Sequence, residues 1–277
     1  MHINDLDGFD KVTENERMLI TKLVDENKER WDTKHFHPKP SKKTVQAQVS
    51  PVSSSRKQVL KPHGEPSIKI MFSNVDQLTS NKMNELQSRI RKEKPMIVAI
   101  CEVKPKNPTK SRTAQDYEIP NYTLHPVNLT NTEPGRGIAI YTHSSIDKSI
   151  IQLNCDMNFQ ESCLLEVRLR GGDIMLFACC YRSPTPTESD INNDNLNRLL
   201  QVISKKNYSH RCIVGDFNYR DINWVSWSTT LSDESTEAKF IEAVRQCYFY
   251  QHVCQATRRR GNDRPSQLDL IFTDEEM

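Results

Sequence analysis

The 277-residue chain contains no run of about 18 apolar residues, so it offers no membrane-spanning helix. It also lacks any CxxC spacing and any internal repeat. The opening segment, MHINDLDGFDKVTENER, is acidic and polar, the opposite of a secretory or transit peptide. The eight cysteines (Cys101, Cys155, Cys163, Cys179, Cys180, Cys212, Cys247 and Cys254) fall mostly in apolar, strand-like runs. Adjacent Cys179 and Cys180 would face opposite sides of a strand. Buried free thiols in a reducing compartment, nucleus or cytoplasm, are therefore expected rather than a disulfide framework. A strong charge of one sign is missing as well. The net charge is only +2, but it is unevenly spread. Residues 1–32 carry 5 Lys/Arg against 9 Asp/Glu, and residues 33–66 carry 7 against 1. Attraction to a polyanion would thus come from a basic linker and local patches rather than from the global field.

What is present divides the chain in two. Residues 14–31 are charged with a thin apolar stripe (Met18, Leu19, Leu23, Trp31), enough for one helix but too little for a domain. Residues 33–66, rich in Pro, Ser, Lys and Gln, hold too few apolar side chains to offset ordering entropy and read as a disordered linker. From Ser67 the texture changes. IKIMFSNV and PMIVAICE are short apolar runs that end on polar residues. Between them Met83, Leu86 and Ile90 recur at helical spacing, which predicts strand–helix–strand. Further strands are expected over Tyr122–Val127, Gly137–Thr142, Cys163–Arg168, Ile174–Tyr181, Cys212–Val214 and Leu268–Phe272, with a hairpin turn at Gly171-Gly172. Helices are expected over Asn192–Lys205 and Ser235–Cys247. Many short strands mixed with a few helices imply an α/β fold, a β-sandwich of two mixed sheets flanked by helices.

Several of these strands end in acids or amides. Asn74 and Asp76 follow the first strand and Glu102 ends the second. GDFN sets Asp216 and Asn218 two residues apart, so both can point the same way from extended backbone. Asp269 lies within SQLDLIFT, where a carboxylate flanked by Leu268 and Leu270 needs a partner or a metal. Polar groups at the ends of apolar strands line one rim of a sheet, and a hard cation such as Mg²⁺ finds oxygen ligands there. Arg258, Arg259, Arg260 and Arg264 cluster just before the Asp269 strand and Arg136 precedes another, which suggests a salt-sensitive hold on a phosphate backbone. Arg182, beside Tyr181, belongs to the same candidate set.

In order along the chain, NVDQL, AICE, YRSP, GDFN and SQLDLIFT resemble the motifs of the endonuclease/exonuclease/phosphatase superfamily. GRGIAIY, CCYRSPTP, GDFNYRDINW and TRRRG…PSQLDLIFT look like the endonuclease domains of jockey- and CR1-like non-LTR retrotransposons. The resemblance covers residues 67–277. It implies a DNase I-like fold and hydrolysis of DNA phosphodiesters with Mg²⁺, or Mn²⁺ in its place. It calls for no small-molecule cofactor and no membrane partner. By the same resemblance Glu102 would ligate the metal, with Asn74 and Asp76 near it or its waters. Asp216 would orient or deprotonate the attacking water, Asn218 and Tyr181 would contact the phosphate, and Asp269 would position a catalytic His.

Members of that family close the site with a strand ending in Ser-Asp-His. This sequence ends FTDEEM and contains no such motif, so the expectation is a reading frame cut from a longer polyprotein, an unpaired sheet edge, and weak or absent cleavage. His252 and His210 read as a packing residue and a surface residue. Two alternatives stand beside the DNA-nicking endonuclease. One is a catalytically inactive remnant that folds or binds nucleic acid. The other is a phosphatase or lipid phosphodiesterase of the same superfamily.

Overall fold

A computed structural model describes residues 68–105, 113–130, 136–146, 150–153, 158–169, 172–184, 189–259 and 264–276. The expected N-terminal helix and basic linker, with Gly171 and Arg260, lie outside these residues.

Two sheets form the centre. The first has the order β1-β2-β4-β3, from β1 (Ile70–Asn74), β2 (Ile97–Cys101), β3 (Tyr122–Val127) and β4 (Ile138–His143). β1 and β2 are parallel because the helix α1 (Ser80–Glu93) crosses between them, and β4 pairs antiparallel with both β2 and β3. The second sheet runs β11-β12-β8-β7-β6-β5. It contains β5 (Ile150–Leu153), β6 (Ser162–Arg168), β7 (Ile174–Tyr181), β8 (His210–Asp216), β11 (Tyr250–Gln251) and β12 (Asp269–Thr273). Here β7 and β8 are parallel, with α2 (Ser189–Lys205) as their crossover, and the other pairs are antiparallel. A two-stranded ribbon, β9 (Ile222–Asn223) with β10 (Ser228–Thr229), a 3-10 turn (Ala114–Tyr117) and α3 (Thr236–Gln246) complete the described elements.

Alternation along β2 shows how the layers assemble. Ile97, Ala99 and Cys101 enter the core between the sheets, while Val98 and Ile100 face outward onto Leu86 and Ile90 of α1. On the far side Leu196, Leu199, Leu200 and Ile203 of α2, with Phe240, Ile241 and Val244 of α3, cover the second sheet. The result is helix, sheet, sheet, helix: the expected sandwich of two mixed sheets.

Cap chemistry sets the helix limits. The Thr79 hydroxyl accepts from the Lys82 N–H, and Lys94 closes α1 in the left-handed conformation with its N–H on the Ile90 carbonyl. Ser235 caps α3 by accepting from the Ala238 N–H at 3.2 Å. Gly172, at φ +97°, provides the turn that lets Leu169 donate to Asp173 between β6 and β7. The cysteines within the described residues are free thiols, all buried except Cys254.

Candidate active site

Strand ends from both sheets converge on one rim. Asn74 ends β1, and Glu102 directly follows β2. Tyr181 ends β7, and Asp216 ends β8 directly alongside it in the parallel register. Asp269 opens β12, opposite Asp216 in the antiparallel register. One side of the second sheet's rim therefore reads Tyr181, Asp216, Asp269 across three adjacent strands. Gly215 makes that proximity feasible, because a Cβ there would stand 2.2 Å from the Cys180 carbonyl oxygen of the neighbouring strand.

Asn74 joins the two sheets. Its side-chain amide Nδ2 donates to Glu102 Oε1 at 2.9 Å and to Asp216 Oδ2 at 2.7 Å. Both hydrogens of the amide are thus used to hold two carboxylates together across the sandwich. Its Oδ1 accepts the Asp76 backbone N–H at 2.9 Å, so Asp76 meets the site through its main chain, and the Asp76 carbonyl in turn accepts from Lys82 Nζ. The backbone is strained here: Asp76, Glu102 and Asn218 have φ of +37°, +54° and +53°. These are three of the nine non-glycine residues at positive φ among the described residues.

The electrostatics are those of crowded acids. Burial pushes the Asp216 carboxyl up to about 6, and the Glu102 charge adds to the shift. The Asn74 and Asn218 hydrogen bonds and the Arg258 charge oppose it. Burial raises the Glu161 carboxyl as well, against the Arg136 N–H that it accepts at 2.7 Å. The Tyr181 hydroxyl is pushed well above its usual value by burial and by the Glu102 and Asp216 charges, so it remains a donor. Beneath them the Cys101 thiol is raised by burial, with Asp216, Asp269 and Glu102 contributing. Facing these acids, Arg136 Nη1 donates to Glu102 Oε2 at 3.3 Å.

Such a set suits a hard cation. The side chains offer oxygen donors, and their mutual repulsion would fall when a positive charge arrives. Among the described residues no group of three or more His, Cys, Asp or Glu forms a ready cage. A cation such as Mg²⁺ needs no such group, since it commonly binds through one or two carboxylates and keeps waters as its remaining ligands. Glu102, with Asn74 beside it, is the seat the residues fit.

The expected residues Asn74, Glu102, Tyr181, Asp216, Asn218 and Asp269 are thus brought together. Asn218 Nδ2 donates one bond to the Arg182 carbonyl at 2.9 Å and retains a second hydrogen. Arg258 forms a bridge with Ser266 next to the site, while Arg259 and Arg264 are exposed. Arg182 requires a correction. Grouped by sequence with the nucleic-acid-contacting arginines, it is 7% exposed, and its guanidinium donates to Asn193 and to the Phe217 and Asn218 carbonyls. Its guanidinium is thus directed inward, onto the turn that carries Asp216. Glu161 and Asn193 were not legible as site residues. The signal for Glu161 was the same as for Glu102, an acid abutting an apolar strand. Asn193 sits in the polar run DINNDN, where nothing singles it out. His252 is half-buried with Nε2 2.6 Å from Thr273 Oγ1, at the end of β12 away from Asp269, and His210 lies within 3.5 Å of Glu275 and 3.9 Å of Asp173.

Residues 175–277, from β7 through β12, match the family model described as endonuclease–reverse transcriptase. Among solved structures, the AP endonuclease of Leishmania major superposes with a TM-score of 0.54 at 12% identity, over 74% of this chain and 78% of that one. An endonuclease/exonuclease/phosphatase family protein from Leptotrichia buccalis gives 0.50 at 19% identity, over 76% and 89%. The endonuclease domain of TRAS1, a telomere-specific non-LTR retrotransposon, gives 0.49 at 14%, over 75% and 84%. No curated protein matches in sequence.

Proposed function

For a chain with the endonuclease/exonuclease/phosphatase fold, we propose that residues 68–276 are a divalent-metal-dependent endonuclease domain of retrotransposon type that nicks DNA. The observation that carries this reading is the Asn74 amide binding Glu102 and Asp216 at once, which joins a metal-type acid to a base-type acid across the two sheets. The family model over residues 175–277 supports it. Glu102 would hold Mg²⁺, or Mn²⁺, with Asn74 and Asp76 near the ion or its waters, and its charge would supply neutralisation of the non-bridging phosphate oxygens. Asp216 deprotonates the attacking water. With its carboxyl at about 6 it is ionised at neutral pH yet still basic enough to take a proton. Its two oxygens are fixed by Asn74 Nδ2 and by the Asn218 N–H at 3.1 Å, so the direction of attack is set in advance. The water oxygen bonds to phosphorus as the bond to the 3′ oxygen breaks, and a proton passes to that oxygen to leave a 3′-hydroxyl. Tyr181 and the second Asn218 amide hydrogen donate to phosphate oxygens as charge develops. The resemblance gives Asp269 the role of orienting a histidine of a Ser-Asp-His motif that these 277 residues do not contain. Arg258, Arg259, Arg260 and Arg264 grip the duplex backbone, and a DNA substrate puts the work in nucleus or cytoplasm.

Conversion of supercoiled plasmid to open circle tests this directly. Without a Ser-Asp-His histidine the 277-residue chain should nick only weakly with Mg²⁺, EDTA should stop it, and Asp216→Ala should lower the rate by at least about 100-fold. Hydrolysis of inositol or sphingolipid phosphates without nicking would sink the proposal.

A further inference from the structure

Arg182 is a charged side chain kept from water, and its partners are neutral. Nε donates to Asn193 Oδ1 at 2.5 Å, and Nη1 donates to the carbonyls of Phe217 and Asn218, each at 3.3 Å. The guanidinium carbon lies 4.0 Å from the centre of the Tyr219 ring. The Tyr219 hydroxyl donates to the same Asn193 oxygen at 2.8 Å. Among the described residues no carboxylate lies within ion-pair distance of this guanidinium. Burying a charge against neutral acceptors is costly, and an apolar side chain of similar volume would fill the space at less cost. A charge placed there at that cost points to a role beyond packing.

The main chain shows where the constraint goes. The Arg182 N–H donates to the Asp216 carbonyl at 2.9 Å, the Asn218 side chain donates back to the Arg182 carbonyl, and the Asn218 N–H donates to Asp216 Oδ1. Asn218 sits at φ +53°, the left-handed region that asparagine enters more readily than other residues with a Cβ. The guanidinium pins the two carbonyls that flank this left-handed residue. Three acceptors in different directions need the planar fork of arginine; a lysine ammonium could serve them only one at a time.

We propose that Arg182, seated on Asn193 and stacked on Tyr219, is a positioning residue that holds the Asp216–Asn218 turn in its left-handed form and so aims the Asp216 carboxylate. This rests on the reading that Asp216 handles the attacking water.

The test uses the full chain with Arg182→Met, Arg182→Lys and Asn193→Ala. Steady-state plasmid nicking with Mg²⁺ and backbone amide exchange are measured together. For Arg182→Met we expect kcat to fall roughly 100-fold with KM for plasmid within about twofold, because a loosened turn loses aim rather than affinity. Arg182→Lys should not rescue it. The Asn218 amide should exchange about tenfold faster or more, with the central amides of β7 and β8 unchanged. Unchanged kcat, or a raised KM with kcat kept, overturns the proposal, the latter by showing a DNA contact instead. If Arg182→Met does not fold, Asn193→Ala must show the same split, and normal kcat there overturns it. If the unaltered protein does not nick DNA, the proposed function fails while this inference is judged by exchange alone: faster exchange at Asn218 supports it, and unchanged exchange overturns it.

Discussion

Asp216→Asn should make the metal-free protein more stable at neutral pH while removing its activity. The carboxyl sits at about 6 in the fold against 3.8 for the free group, chiefly through burial. Its folded value is raised, so the native state holds the proton more tightly. The stability this lends is complete below about pH 4 and is lost as pH rises through about 6. At roughly 1.4 kcal/mol per decade, the loss amounts to about 3 kcal/mol by pH 7.5. An asparagine never ionises and escapes that loss, but its single side-chain oxygen cannot accept both the Asn74 Nδ2 hydrogen and the Asn218 N–H as the two Asp216 oxygens do, a deficit of about 1 kcal/mol. The variant should therefore be less stable than the parent by about 1 kcal/mol at pH 4 and more stable by about 2 kcal/mol at pH 7.5. Urea denaturation in EDTA at the two pH values measures this. A stability difference that does not change with pH would refute the claim that Asp216 is held ionised against its environment.

Three other outcomes follow from the same geometry. Mg²⁺ at ten times its dissociation constant should stabilise the protein by about 1.4 kcal/mol, a thermal shift of a few degrees. Glu102→Gln should abolish that shift, and a variant that keeps it would show that the cation sits elsewhere. Replacing Arg258, Arg259 and Arg264 together by alanine should flatten the dependence of log DNA affinity on log salt by roughly 2–3, since each released phosphate contact contributes about 0.9; an unchanged slope would mean the loop does not touch the backbone. Gly215→Ala drives a methyl onto the Cys180 carbonyl and should cost about 3 kcal/mol or more in unfolding measurements, with loss of soluble protein; a stable variant would show that β7 and β8 can separate without harm.

The layers of the fold were legible because periodicity reports burial. Leu196, Leu199, Leu200 and Ile203 recur at helical spacing and cover the second sheet, and the unbroken apolar run in Ile174–Tyr181 is a strand covered on both faces. Short elements escaped. β9, β10 and β11 are two-residue strands whose pairing depends on distant partners, and Tyr250–Gln251 carries no alternation to detect. β8 extends beyond its expected limits to His210 and Asp216, because polar residues at its ends still pair with β7 and β12.

The site was legible for a different reason, and Arg182 marks where that reason stops. Acids at the ends of apolar strands must share a rim once the strands share a sheet, so Glu102, Asp216 and Asp269 could be grouped from position alone. An arginine next to such a rim has two physical uses, to face the phosphate or to lie beneath the loop that carries the acid, and both give the same sequence. What separates them is the arrangement of acceptors: Asn193 lies 11 residues away and the Phe217 and Asn218 carbonyls 35 and 36 residues away, and only folding brings them into one fork. The same division runs through the whole rim. Residues whose side chains face the cleft follow from the strand ends. Those that hold them in place (Asn193, Glu161, Gly215) act through contacts between elements, so perturbing them should change the aim of the acids before it changes what the site binds.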